Sequence, residues 1–277
     1  KRQMLQAAEN AKIVVSPVEA VLPKAFEKPE DKKERQKKAA ASVTREEIYS
    51  TVEVNSRLHR DYILLVILSS IVAAAGLLEN NVAVIIGAMV IAPLLGPNIA
   101  FAFGTSLGDR KLVLGSLTTI VTGISVAIAV AYATGLVWPA QTITQELLLR
   151  TDINYAGTAI ALASGAAASL SLVTGLSSVL VGVMVAVALM PPAVTIGLML
   201  SDKSYDYATG AIMLLAVNIV CINLSAKLVF LLRGIQPRTW IEAKKARQSR
   251  TLYLLVWITL LLLLIAMIYL RHRAVPA

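Results

Sequence analysis

The sequence predicts an all-α integral membrane protein with about seven transmembrane helices. Of its 277 residues, 57% are hydrophobic and only 16% are charged, and the mean hydropathy is +0.71. Soluble domains usually have about 45–50% apolar and about 25% charged residues. A helix needs about 20 apolar residues to cross a bilayer. Seven apolar runs approach or exceed that length: 62–78, 82–107, 112–137, 156–175, 177–200, 207–232 and 252–270.

A polar segment precedes the first run. Residues 27–60 combine a mixed-charge linker with a helix predicted at about 45–60. Ile48 and Val52 share one side of that helix because they are four residues apart. We expect an amphipathic helix here, lying at the membrane surface before the first span.

The distribution of basic residues predicts the topology. If the N-terminus lies inside and the chain crosses seven times, the inner side receives 21 Lys and Arg residues and the outer side receives four. Basic residues concentrate on the cytoplasmic side of membrane proteins. We therefore expect a multi-pass protein of the cytoplasmic (inner) membrane, with an outer loop at 138–155, a basic inner-surface segment at 233–251 that contacts anionic lipid, and a seventh helix and tail at 252–277.

An internal repeat is predicted from a shift of 95 residues. Over twenty ungapped positions from Gly87, the shift gives six identities, and it also places the first three runs on the next three. Each unit holds three spans, an odd number, so the second unit enters the membrane from the opposite face. Residues 61–137 and 156–232 are thus predicted to be two inverted three-helix repeats, an architecture found in secondary transporters.

Prolines are predicted to break the second and fifth helices. Proline has no N–H, so the carbonyl four residues earlier loses its helical donor. Paired interruptions in two repeats are a pointer to a transport site; the alternative is kinks that only shape packing. The predicted site comprises Met89, Pro93, Gly96 and Pro97 in the second run, and Val187, Ala188, Pro191 and Pro192 in the fifth.

Polar residues inside the runs add to this candidate site. Asn98, Asn218 and Asn223 could coordinate a substrate or ion, or could simply form hydrogen bonds between helices. Lys227 lies near the inner end of its run and is expected to extend its ammonium to the interface. The link of Glu79, Asn80 and Asn81 between the first two runs is either an outer mouth or a helix stop followed by an N-cap.

The fourth run is poor in bulky residues. Gly157, Ala161, Gly165 and Ser169 recur every four residues and form a small-residue stripe. Such a stripe permits close approach of two helix backbones. We expect this helix inside the bundle or at a subunit interface.

Signals of an enzyme are absent from the sequence. Cys221 is the only cysteine and His59 and His272 are the only histidines, which excludes an intrachain disulfide and a cysteine-based metal site. No nucleotide-binding loop or hydrolase motif occurs. We expect no catalytic residues, no cofactor, no metal and no nucleic-acid partner.

The stretch from Gly76 to Pro97, with its Asn-Asn-x-Ala-Val-Ile-Ile-Gly-Ala-Met-x-Ile-Ala-Pro-Leu-x-Gly-Pro pattern, resembles a family of hydrophobic bacterial and archaeal membrane proteins described only as a domain of unknown function. The later block Val181 to Pro192 and Asn218 are similar to its second motif. The resemblance covers roughly 42–234. It implies that residues 1–26 are the remnant of a soluble N-terminal domain, and it supplies no activity.

Three functions fit these observations. The first is transport of a small solute or ion through a site at the broken helices. The second is a membrane-embedded scaffold or signalling subunit, in which the kinks serve assembly. The third is a passive channel formed by an oligomer, and we expect a homo-oligomer in any case. The sequence does not identify the solute or ion.

Overall fold

The computed structural model describes residues 48–50, 52–54, 56–139, 142–174 and 178–234, with the single positions 257, 259, 262 and 266. The predicted remnant at 1–26, most of the linker and nearly all of the basic segment and seventh run lie outside them. The described helices are α1 (Arg60–Leu78), α2 (Val82–Ile91), α3 (Leu95–Leu107), α4 (Arg110–Val137), α5 (Gln145–Leu149), α6 (Tyr155–Thr174), α7 (Ser178–Ser201) and α8 (Tyr205–Leu232).

The ends of these helices follow local capping chemistry. Gly108 adopts a left-handed conformation (φ 72°) and ends α3, as glycine commonly does after a helix. Asp109 then caps α4, because its carboxylate accepts hydrogen bonds from the amides of Lys111 (3.0 Å) and Leu112 (3.2 Å). Two antiparallel helices can therefore follow one another with a very short connection.

The first six predicted runs correspond closely to these helices. Within the described residues, four helices are each long and apolar enough to cross a membrane: α1, α4, α6 and α8. The pair α2 and α3 makes a fifth if it is counted as one bent span. The chain thus has the helices of a membrane protein.

Helix α7 lies at the centre of the bundle. It packs against α1, α2, α3, α4, α6 and α8, and nearly all its side chains from Val185 to Met199 are buried. By contrast, α1, α2 and α4 expose large apolar side chains, among them Leu68, Ile86 and Val121. Apolar surface on the outer helices suits contact with lipid.

The small-residue stripe of α6 packs against α8, as the sequence predicts. Ala161, Gly165 and Ser169 are buried. A Cβ atom at Gly165 would lie 2.7 Å from the Cα atom of Ile222, so the two backbones approach too closely for a larger residue. This contact fixes α8, which carries two of the candidate asparagines.

Candidate functional site

The second span is broken where the sequence predicts. The last rung of α2 is the hydrogen bond from the amide of Ala92 to the carbonyl of Ala88 (3.1 Å). Ala92 itself is extended (ψ 120°), and Pro93 cannot donate to the carbonyl of Met89. The helix resumes at Leu95, and its axis is bent by 56° from that of α2.

Pro97 does not make a second break. It was expected to free the carbonyl of Pro93, but it is the third residue of α3. The first amides of a helix have no partner within it, so proline is tolerated there. Gly96 and Pro97 therefore belong to the start of α3, and the interruption is confined to residues 92–94.

The predicted break in the fifth span is wrong. Helix α7 continues through Pro191 and Pro192. The carbonyl of Ala188 loses its helical donor because Pro192 has no N–H, but the side-chain amide of Asn218 donates to it instead (2.7 Å). Asn218 is only 6% exposed. This asparagine thus acts through a hydrogen bond between helices, and α7 stays closed.

Asn98 and Asn223 meet immediately beyond the break. Each is 1% exposed, and the Nδ2 atom of Asn223 lies 3.5 Å from the Oδ1 atom of Asn98. The amide of Asn98 also donates to the carbonyl of Leu94 (2.9 Å), which couples it to the interruption. The sequence does not predict this pairing, because the two residues are far apart in the chain.

One acceptor in this pair has no donor among the residues that the structure describes. The amide of Asn223 also bonds the carbonyl of Ile219 (2.8 Å), whereas its Oδ1 atom is buried without a hydrogen-bond partner among the described residues. A buried acceptor left unmade costs about 1–3 kcal/mol. Among the described residues, the pair therefore contains a buried carboxamide oxygen without a hydrogen-bond donor.

Lys227 departs from its prediction. Its side chain is 0% exposed, so the ammonium does not extend to the surface of the protein. Lys227 follows Asn223 by one helical turn and is the only charged residue within the first six predicted runs. Ionisable residues buried in a membrane bundle usually serve function, and the sequence supplied this signal.

The predicted mouth residues act mainly in the turn between α1 and α2. Asn81 is the N-cap of α2, because its side chain accepts from the amide of Val84 (3.3 Å). Asn80 has a left-handed backbone (φ 54°), and its side chain accepts from the amide of Glu146 (3.0 Å). Glu79 closes α1. The helix-stop and N-cap interpretation thus accounts for this link.

Four hydrogen-bonded residues lie near the C-terminal end of α3. We call Tyr49, Ser56, Asp109 and Thr119 the clip. The hydroxyl of Tyr49 donates to the carboxylate of Asp109 (2.7 Å), and that of Thr119 donates to the carbonyl of Ser56 (2.7 Å). The bond to Asp109, with burial as the second cause, raises the pKa of Tyr49 to about 12.

Two further buried polar atoms were not predicted from the sequence. The hydroxyl of Thr195 on α7 and the Nε atom of Arg150 have no hydrogen-bond partner among the described residues. Arg150 pairs through another nitrogen with Glu146 (3.2 Å). No group of three His, Cys, Asp or Glu residues that could hold a metal occurs in the described part of the chain.

Comparisons with known proteins identify the family. Residues 89–224 match the family model described as a domain of unknown function (DUF389). An uncharacterized protein of Methanocaldococcus jannaschii is 35% identical over 240 residues, which cover 87% of this chain and 75% of the relative. No solved structure matches the chain. The chain therefore belongs to the DUF389 family.

Proposed function

We propose that this protein moves a small solute or ion across a membrane through a site at the break between α2 and α3. The observation that carries the proposal is the junction of two features. The break at residues 92–94 opens a helix in an apolar bundle, and the buried Asn98–Asn223 pair follows it directly. Irregular backbone at membrane depth is tolerated where protein buries it or where it lines a wet cavity.

The alternative functions, a scaffold above all, explain less of this arrangement. A scaffold needs kinks that pack, but it has no need for a buried acceptor without a donor. A polar pair that served only helix packing would satisfy its own atoms, as Asn218 does with Ala188. The Oδ1 atom of Asn223 has no hydrogen-bond partner in the described part of the chain, which favours a site that takes a ligand.

Flux into liposomes tests the proposal. The purified chain is reconstituted, and uptake of radioactive sodium, rubidium and chloride is measured beside swelling in urea and glycerol. We expect at least one probe to enter faster than into empty liposomes, and Asn98→Leu to abolish that excess. Thr118→Val is the control, because Thr118 is exposed on α4. No excess for any probe would contradict transport of these solute classes.

The membrane and topology are part of the same proposal. We place the chain in the cytoplasmic membrane with Lys203 outside, as a homo-oligomer whose basic segment at 233–251 contacts anionic lipid. Lys203 lies in the exposed turn between α7 and α8. In a Cys221→Ser background, a Lys203→Cys variant should react with an impermeant thiol reagent added outside intact cells. Labelling only after the inner face is opened would reverse the topology.

A further inference from the structure

We infer that the carboxamide oxygens of Asn98 and Asn223 bind a monovalent metal cation such as Na⁺ or K⁺. The inference deepens the proposed function and rests on it in one respect: it takes this cation to be the ion that moves or that drives movement. Binding itself is measured without transport, so the two ideas can fail separately.

The orientation of both amides is set by the backbone. Each Nδ2 atom donates to the backbone carbonyl four residues earlier, Leu94 for Asn98 and Ile219 for Asn223. Rotating either amide by half a turn would place oxygen against carbonyl oxygen, so the network fixes which atom is which. The two Oδ1 atoms are therefore the acceptors that the pair can offer to a ligand.

Both Oδ1 atoms are hydrogen-bond acceptors and carry partial negative charge, so a cation can bind them. Asn98 Oδ1 receives only a long contact of 3.5 Å, and Asn223 Oδ1 receives no hydrogen bond from the described residues. An anion would need donors, and three of the four amide N–H groups already donate: two from Asn223, to Ile219 and Asn98, and one from Asn98, to Leu94. Hard cations prefer oxygen ligands.

The charge inventory selects a monovalent ion. The first six predicted runs contain no Asp or Glu, and Lys227 lies one turn beyond Asn223. Divalent Ca²⁺ and Mg²⁺ are bound in proteins largely through carboxylates. Two neutral oxygens beside a lysine do not offset a double charge.

Thermal unfolding of the full chain in detergent provides the test. Melting is followed in choline chloride and in equal concentrations of lithium, sodium or potassium chloride, so that chloride and ionic strength stay constant. We expect one cation to raise Tm saturably, by roughly 3–6 °C at ten times its apparent Kd. The absence of a saturable, cation-specific rise would show that the oxygen is met by water only, and it would overturn the inference.

Three variants locate the ion. Asn223→Leu should lose the cation-dependent rise, whereas Asn218→Leu, which removes a buried amide from the same helix, should keep it. Asn223→Asp conserves shape and adds a negative charge, so the apparent Kd should fall at least tenfold. If Asn223→Leu does not fold, Asn223→Asp still tests the site. A rise that persists in Asn223→Leu, or an unchanged Kd in Asn223→Asp, would overturn the site.

Discussion

The second and fifth spans place prolines in similar apolar sequences but fold differently. Between α2 and α3 the axis bends by 56° at residues 92–94, whereas α7 continues through Pro191 and Pro192. Proline removes a backbone donor in both spans. In α7 the amide of Asn218 replaces the donor that Pro192 removes. A side chain from another helix can thus take over a hydrogen bond that proline removes, and α7 stays helical past Pro192.

The predicted 95-residue alignment sharpens this comparison. It places Pro93 on Ala188, Pro97 on Pro192 and Gly123 on Asn218. Pro93, which makes the break, thus has no proline opposite it in the second unit, and Asn218 aligns with a glycine that has no side chain to donate. A Cβ atom on Gly123 would also collide with the hydroxyl of Tyr62. The alignment itself stays a prediction, and so do the inverted repeats, which should superpose by rotation about an axis in the membrane plane.

The largest expected effect on stability comes from the different packing around a glycine in each of the two spans. A Cβ atom at Gly197 of α7 would collide with the backbone of Ile128, whereas Gly87 of α2 has open space around it. Gly197→Ala should therefore lower the free energy of unfolding by about 3 kcal/mol. Gly87→Ala should raise it by about 0.5–1 kcal/mol, because alanine is the better helix former. Denaturant unfolding of both variants measures the difference, and equal effects would refute the contrast.

The next effect tests the substitute donor. Asn218→Leu leaves the carbonyl of Ala188 buried without its 2.7 Å hydrogen bond, and should cost about 1–3 kcal/mol. Adding Pro192→Ala restores a backbone amide four residues after Ala188. A double-mutant cycle should then show recovery of most of the lost stability. Additive effects of the two changes would mean that Asn218 does not replace the missing donor.

A smaller change in stability is expected at the break itself. Pro93→Ala returns a donor for the carbonyl of Met89, so α2 should lengthen while the stability stays equal or rises by about 1 kcal/mol. Flux into liposomes should nevertheless fall, because the opened backbone closes. Pro139→Ala, in the exposed connection after α4, is the control. Lower stability with unchanged flux would support the scaffold alternative.

The last effect depends on pH and concerns the clip at the far end of the second span. The pKa of Tyr49 is raised from 10.0 to about 12, so folding favours its neutral, protonated form. This contribution is fully present below pH 10 and is lost as the pH rises to about 12. Tyr49→Phe should reduce stability by about 0.5–1.5 kcal/mol near neutral pH. The gap between parent and variant should close between pH 10 and 12 in thermal melts; a constant gap would contradict the assignment.

The apolar runs and the positions of glycine and proline made much of the fold predictable. Apolar run lengths located the first six predicted helices within two residues at most ends, and Gly165 correctly predicted the close packing of α6. Pro93 located the break, because the loss of a backbone donor is a local property. Such signals act within one turn of chain and need no knowledge of the neighbours.

The departures arose from contacts between distant residues. The donor that replaces the amide missing at Pro192 comes from Asn218, thirty residues beyond Ala188, and the Asn98–Asn223 pair joins positions 125 residues apart. The burial of Lys227 likewise depends on which helices surround α8. No local pattern specifies these neighbours, so sequence reasoning found the participants of the site but not their partners.

The unequal lengths of the helices have a consequence for the surrounding bilayer. Helices α4 and α8 have 28 residues each, or about 42 Å at 1.5 Å per residue. Helix α1, with 19 residues, is only about 29 Å long, close to the roughly 30 Å of a hydrocarbon core. A thinner membrane would force the long helices to tilt further while the short one still fits, and a thicker one would strain the short helix first. We therefore expect lipid chain length to change the tilt of α4 and α8 more than that of α1.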